Sequence, residues 1–171
     1  MNTPSYIAIT PTSLAWVSKG SSSYMPLPVV DVRDYPRKKT IISRVRTLDL
    51  LGTLAPLPTE NVALAIIERP DTYLPRSRYV TTLRQLEAVI TVLELLTIPY
   101  EFVDAKEWQR TMLPSGLKAG APTRRASMDM GKRLFPQHAD TINSIGHADA
   151  LLLAEFYRHA SNMGLKEAAY E

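Results

Sequence analysis

The chain is 171 residues long, 45% hydrophobic and 22% charged, with a formal net charge of +3. That size and balance suit one soluble globular domain with its own core, expected over residues 1–163 with a tail from 164 to 171. The absence of cysteine excludes disulfides, thiolate metal sites and cysteine nucleophiles, and no apolar run reaches the ~20 residues of a membrane span, so no membrane partner is expected.

Met1-Asn2-Thr3-Pro4-Ser5 lacks the basic-then-apolar layout of a secretory leader, so a cytoplasmic protein is expected, with a nucleoid-associated, viral or phage setting compatible. Tyr6-Ile7-Ala8-Ile9 reads as a short strand, Thr10-Pro11-Thr12-Ser13 as a turn, and Leu14-Ala15-Trp16-Val17 as the returning hairpin strand. Lys19-Gly20-Ser21-Ser22-Ser23 reads as a flexible turn and Pro28-Val29-Val30-Asp31-Val32 as a third strand; the prolines at 26 and 28 suit a sheet margin. From about residue 37 to 54, Ile41, Val45, Leu48 and Leu51 recur at helical spacing with arginines on the other face, which predicts a helix stopped by Pro56-Leu57-Pro58. Val62-Ala63-Leu64-Ala65-Ile66-Ile67 is an unbroken apolar run of the kind buried on both faces of an α/β sheet, and Glu68 closes it.

A loop with Pro75 leads to a long helix over residues 78–96. Its Leu83, Leu86, Ile90, Leu93 and Leu96 line one face, apolar enough to serve both the core and a second copy of the chain, so a homodimer through this helix is expected. Tyr100-Glu101-Phe102-Val103 reads as another strand and 106–112 as a short helix. Residues 114–123, rich in Gly, Ala and Pro, read as a loop, with helices following over about 126–135 and 147–162. Three antiparallel strands followed by strands separated by helical crossovers predict an α/β fold: a five-stranded mixed sheet with helices on both faces.

Charge is concentrated in two regions. Arg33, Arg37, Lys38, Lys39, Arg44 and Arg46 are opposed only by Asp34; Lys106, Arg110, Lys118, Arg124, Arg125, Lys132 and Arg133 form the second. Either suits contact with phosphates or a solvated basic surface. Carboxylates offer the candidate chemistry. Glu68 stands at the C-terminal end of a central strand, where open α/β sheets build their sites. Asp149 stands in or near the first turn of the last helix, whose positive end favours an anion. Facing one another, two such groups could bind hard divalent cations, and two cations can activate a water and stabilise the leaving oxygen of a phosphodiester. Read alone, they are equally an exposed strand end and a helix-terminal charge.

Nearly the whole chain, from Tyr6 to about Arg158, resembles the RuvC-like Holliday junction resolvases of the RNase H-like fold. The resemblance is carried by Ala65-Ile66-Ile67-Glu68-Arg69-Pro70, Ile98-Pro99-Tyr100-Glu101-Phe102-Val103, Lys106-Glu107-Trp108-Gln109, Arg125-Ala126-Ser127, Lys132-Arg133-Leu134-Phe135-Pro136 and Ala148-Asp149-Ala150-Leu151-Leu152-Leu153-Ala154. It implies a homodimeric, magnesium-dependent endonuclease that nicks branched DNA. The family's site takes an aspartate from the first strand, a glutamate from the central strand and a pair from the last helix, one member of which can be histidine. By resemblance Glu68 and Asp149 fill two of these positions as catalytic and metal-binding residues, with Mg2+ or Mn2+ as cofactor. Arg76, Arg78, Lys106, Lys118, Arg124, Arg125, Lys132 and Arg133 are the expected contacts to branched or duplex DNA, with RNA an alternative partner.

The chain departs from that pattern at the first strand, where Ile9-Thr10-Pro11-Thr12 replaces an Asp-Pro turn and a neutral hydroxyl replaces a carboxylate. Ile145 and Gly146 stand where the second helix ligand belongs, and His147, two residues before Asp149, would point about 160° away on a helix. It can approach Asp149 only if the helix begins after it. Asp71, Asp104 and Asp140 do not lie on the first strand. An eroded carboxylate set leaves two expectations: a resolvase-lineage DNA-binding protein, or an inactive pseudonuclease serving as a structural or nucleic-acid-binding subunit. No Gly-x-Ser-x-Gly elbow, Walker-type loop or zinc pattern occurs.

Overall fold

The structure, a computed structural model, describes residues 4–33, 41–57, 61–70 and 73–162. Strands β1 (Ser5–Ile9) and β2 (Ser13–Ser18) form the expected hairpin, with Tyr6 opposite Val17 and Ile9 opposite Leu14. β3 (Ser21–Pro26) pairs with β2 after the two-residue turn Lys19-Gly20. Gly20 has φ 84° there, a conformation open to glycine because it lacks a Cβ. The third strand of the sheet is therefore Ser21–Pro26, not residues 28–32. Serine's weak strand preference concealed it, while its place at the sheet edge suits Pro26.

Val29–Arg33 is extended, but as β4 of a separate antiparallel ribbon with β5 (Ile41–Val45). This corrects the helix predicted over 37–54: only α1 (Thr47–Leu54) is helical, and residues 34–40 lie outside the described residues. Ile41, Ile42 and Val45 are β-branched and favour extended backbone, although their spacing also fits a helix. The change of conformation comes at Arg46, whose guanidinium pairs at 3.2 Å with Asp49 in the first turn of α1.

β6 (Val62–Glu68) lies parallel to β1, and β7 (Tyr100–Val103) parallel to β6, giving the sheet order β3-β2-β1-β6-β7. Helix α2 (Arg76–Leu95) crosses between β6 and β7. α3 (Ala105–Met112), α4 (Ala121–Leu134), α5 (Ala139–Ile145) and α6 (Asp149–Asn162) complete the chain order, with a 3-10 turn at Pro136–His138. α4 begins inside the stretch read as a loop because Pro122 sits in its first turn, where a missing N–H leaves no bond unmade. α5 is an addition to the expected order. No helix among the described residues is long and apolar enough to cross a membrane.

Strand alternation divides the core. Tyr6, Ala8, Ala15 and Ile66 pack with the helices α3 to α6 on one face, while Ile7, Ile9, Ala65 and Ile67 pack with α1 and α2 on the other. The sheet is thus mixed, five-stranded and covered on both faces, as the sequence predicts. α6 lies across β1 and β2 with Ala150 to Ala154 fully buried. α4 comes close to the start of α6 at Gly131, where an added Cβ would overlap the Ala148 side chain and stand 3.3 Å from Ile142 Cδ1. Gly131→Ala is expected to cost about 1–3 kcal/mol in urea unfolding through overpacking. Gly52→Ala, in α1 with nothing within 4 Å, is expected to stabilise by roughly 0.4–1 kcal/mol. Stabilisation by both would contradict the close approach of α4 and α6.

Candidate active site

Ile9 of β1 lies beside Ile67 of β6 in parallel register. The next residues, Thr10 and Glu68, therefore emerge together at the C-terminal edge of the sheet, where open α/β sheets carry their sites. By alternation both belong to the face of Ala8 and Ile66, which α6 covers. α5 ends at Ile145, Gly146 follows with φ 85°, and α6 begins at Asp149. His147 consequently stands in the linker before the helix, and its Nδ1 lies 3.4 Å from Asp149 Oδ2. The condition under which His147 reaches Asp149 is met.

Each carboxylate is already engaged. Glu68 Oε2 accepts a hydrogen bond from the indole Nε1 of buried Trp108 on α3, at 3.2 Å. Burial raises the Glu68 pKa from 4.5 to about 7; the charge of Asp149 adds to the rise and the Trp108 bond opposes it. Asp149 Oδ1 accepts from Ser127 Oγ at 2.5 Å, and the same hydroxyl accepts the Ala148 backbone N–H at 3.0 Å. Ser127 is fully buried on α4, one turn before Gly131.

His147 Nδ1 accepts the backbone N–H of Asp149 at 3.3 Å, which leaves the ring proton of the neutral imidazole on Nε2, facing Thr12 Oγ1 at 2.7 Å. Burial lowers the His147 pKa; Asp149 pulls it up and the charge of Arg124 pushes it down. The His147 carbonyl accepts from Tyr24 Oη at 2.7 Å. Burial pushes the Tyr24 phenol up to about 12, against a hydrogen bond with Ser13 and with added repulsion from Asp149. Thr10 is buried, and its Oγ1 lies 2.8 Å from Ser13 Oγ and accepts the Ser13 N–H at 3.1 Å. Its hydroxyl closes the turn between β1 and β2.

Glu68, Asp149 and His147 are therefore gathered at one edge, with Thr10 beside Glu68. Of the predicted basic contacts, Arg124 is near enough to His147 for its charge to be felt there. Arg76 and Arg78 are exposed in the first turn of α2, Lys106 on α3, Lys118 before α4, and Arg125 and Arg133 on α4, where Lys132 is half-buried. Trp108, Ser127, Thr12 and Tyr24 were not foreseen as parts of the site. Trp108 stands as the large apolar residue of an otherwise charged and polar segment, Lys106-Glu107-Trp108-Gln109-Arg110, which marks it for burial with an indole N–H in need of a partner. Ser127 carries no such local signal.

The donors do not fit a pair of divalent cations. Such a centre needs several oxygen ligands whose charge offsets that of the ions. Here the edge gathers two carboxylates, Glu68 and Asp149, with His147, and the first strand offers the Thr10 hydroxyl in place of a third carboxylate. Among the described residues no three His, Asp or Glu side chains form a group able to hold a metal ion.

No protein-family model matches the sequence, and no curated protein sequence matches it either. Solved structures do. The chain is similar to Thermus thermophilus RuvC with TM-score 0.51 and 17% identity, covering 94% of this chain and 96% of that one. It is similar to T. thermophilus RuvC in complex with Holliday junction substrate with TM-score 0.52 and 14% identity, over the same shares of the two chains. The fold is accordingly the RNase H-like α/β fold seen in RuvC.

The raised Glu68 pKa has a defined sign in stability. Between pH 4.5 and about 7 the folded chain holds a proton on Glu68 that the unfolded chain has released, so stability falls as pH rises through that window. Glu68→Gln is expected to flatten this part of the pH profile of the urea midpoint and to gain on the parent chain at pH 8. A parallel profile would show that Glu68 titrates normally.

Proposed function

We propose that this chain is a resolvase-lineage protein that binds branched or duplex DNA through a cleft unable to assemble a two-cation centre. Thr10 carries the reading: a neutral hydroxyl committed to its own turn stands beside Glu68, where the RuvC-like pattern requires an aspartate. Glu68 and Asp149 are the inherited catalytic and metal-binding positions, and His147 the third member. DNA as the partner is supported by the fold shared with T. thermophilus RuvC in complex with Holliday junction substrate. Partial neutralisation of Glu68 also makes the cleft less repulsive to a phosphodiester than two full carboxylates would be.

Phosphate contacts come from Arg76, Arg78, Lys106, Lys118, Arg124, Arg125, Lys132 and Arg133. Affinity then falls with salt, by roughly 0.9 in log–log slope for each phosphate neutralised. Selectivity for a junction comes from the shape of a homodimer, with little base reading. Exposed Val80 and Leu95 and half-buried Leu83 on α2 are apolar side chains left for a second copy. The engaged state of both carboxylates also favours the alternative role, a non-cleaving subunit of a larger assembly.

An unlabelled four-way junction is expected to displace a labelled one at a concentration about tenfold below that of linear duplex of equal length; equal competition would sink the junction reading. Thr10→Asp is expected to bind Mn2+ about tenfold more tightly than the parent in calorimetry, because oxygen sites tighten with ligand charge. Unchanged binding would mean that the cleft has lost more than one ligand.

A further inference from the structure

The stretch from Arg33 to Arg46 holds six cations against one carboxylate, none of them among the basic contacts assigned to the cleft. The structure places Arg33 at the end of β4 and Arg44 within β5, and the pairing of this ribbon sorts its residues onto two faces. Val29, Asp31, Ser43 and Val45 share one face. At the base of that face Val45 is buried in the core with α1 and α2, while Val29 opposite it is 44% exposed. Asp31 is on the same face, and its carboxylate accepts a hydrogen bond from Ser43 Oγ at 2.6 Å.

The other face carries Val30, Val32 and Arg44. Each valine is 41% exposed, and Arg44 is exposed with no ion pair among the described residues. The base of the ribbon is fastened to the rim of the candidate site. Leu27 N–H donates to the Thr12 carbonyl at 2.9 Å, and Arg46 N–H donates to the Pro28 carbonyl at 2.9 Å. Leu27 also lines a pocket with Thr10 and Glu68. β5 packs against α2, so the ribbon rises on the opposite side of the sheet from α4 with its Arg124 and Arg125.

Resting on the DNA-binding reading, we propose that this outward face of the β4–β5 ribbon is a second DNA contact, entering a groove of a duplex arm beside the cleft. Arg44 meets a phosphate, while Val30 and Val32 lie against sugars and base edges. The dimensions agree: paired strands are about 4.8 Å apart, and a major groove about 12 Å wide admits a two-stranded ribbon. The charge agrees too, because the one ribbon carboxylate among the described strands is turned away and hydrogen-bonded, leaving a cation between apolar groups. A protein partner is the poorer occupant. Among the described side chains, two valines and an arginine are a small patch beside the roughly 800 Å² that each side of a stable protein interface buries.

The test is fluorescence anisotropy of the full chain with a labelled four-way junction across a salt series. It compares the parent, Arg44→Gln, the double variant Val30→Ser/Val32→Ser, and Arg124→Gln/Arg125→Gln. Arg44→Gln is expected to reduce the salt slope by about 0.9, the loss of one phosphate contact. The valine variant is expected to bind about fivefold more weakly with an unchanged slope. If both ribbon variants bind like the parent while the α4 variant weakens, the ribbon proposal is overturned and the DNA reading stands. Failure of the parent to bind overturns both. Ribbon variants that keep full affinity but change the mass of the protein by light scattering would assign the ribbon to self-association, and overturn the proposal as well.

Discussion

The hydroxyl of Ser127 joins α4 to the first turn of α6, and the geometry of the cleft depends on that junction. It accepts the Ala148 N–H, one of the backbone donors that a helix start leaves unpaired, and donates to Asp149 Oδ1. Such a bond requires two helices in close contact, which Gly131 permits by presenting no Cβ to Ala148. With Asp149 held, its backbone N–H fixes the imidazole of His147, and Tyr24 fixes the His147 carbonyl from β3. One buried serine thus ties the edge of the sheet, the linker and two helices into one polar cluster.

The electrostatics of that cluster bear directly on the proposed function. Glu68 and Asp149 are close enough for the charge of Asp149 to raise the pKa of Glu68. A nuclease of the two-cation kind resolves such repulsion with metal. In this chain Trp108 and Ser127 donate hydrogen bonds to the two carboxylates, and burial with the charge of Asp149 raises the Glu68 pKa to about 7. A neutral group also stands at Thr10, whose hydroxyl is spent on the turn to Ser13. These features fit a cleft that accepts a phosphodiester without holding the ions that would cut it.

Much of the fold was legible in the sequence where its cause is local. The apolar run ending at Glu68 and the hairpin around Thr10 each declare their conformation within a few residues. Asp149 was likewise legible as a helix-start charge, and the helix start decides where His147 lies. What escaped depends on distant partners. Ser21–Pro26 is a strand only because β2 pairs with it, and Ile41–Val45 is a strand because β4 folds back on it rather than because its spacing excludes a helix. Trp108 reaches Glu68 across 40 positions of sequence and Ser127 reaches Asp149 across 22. No periodicity encodes such contacts.

The most direct test incubates the chain with a four-way junction in Mg2+ or Mn2+ and resolves the same sample on native and denaturing gels. The predicted result is a retarded junction whose four strands remain intact. Symmetric nicks that disappear in Glu68→Gln and in Asp149→Asn would contradict it, because they would show that two carboxylates and a histidine suffice for the metal chemistry that the cleft is held to have lost.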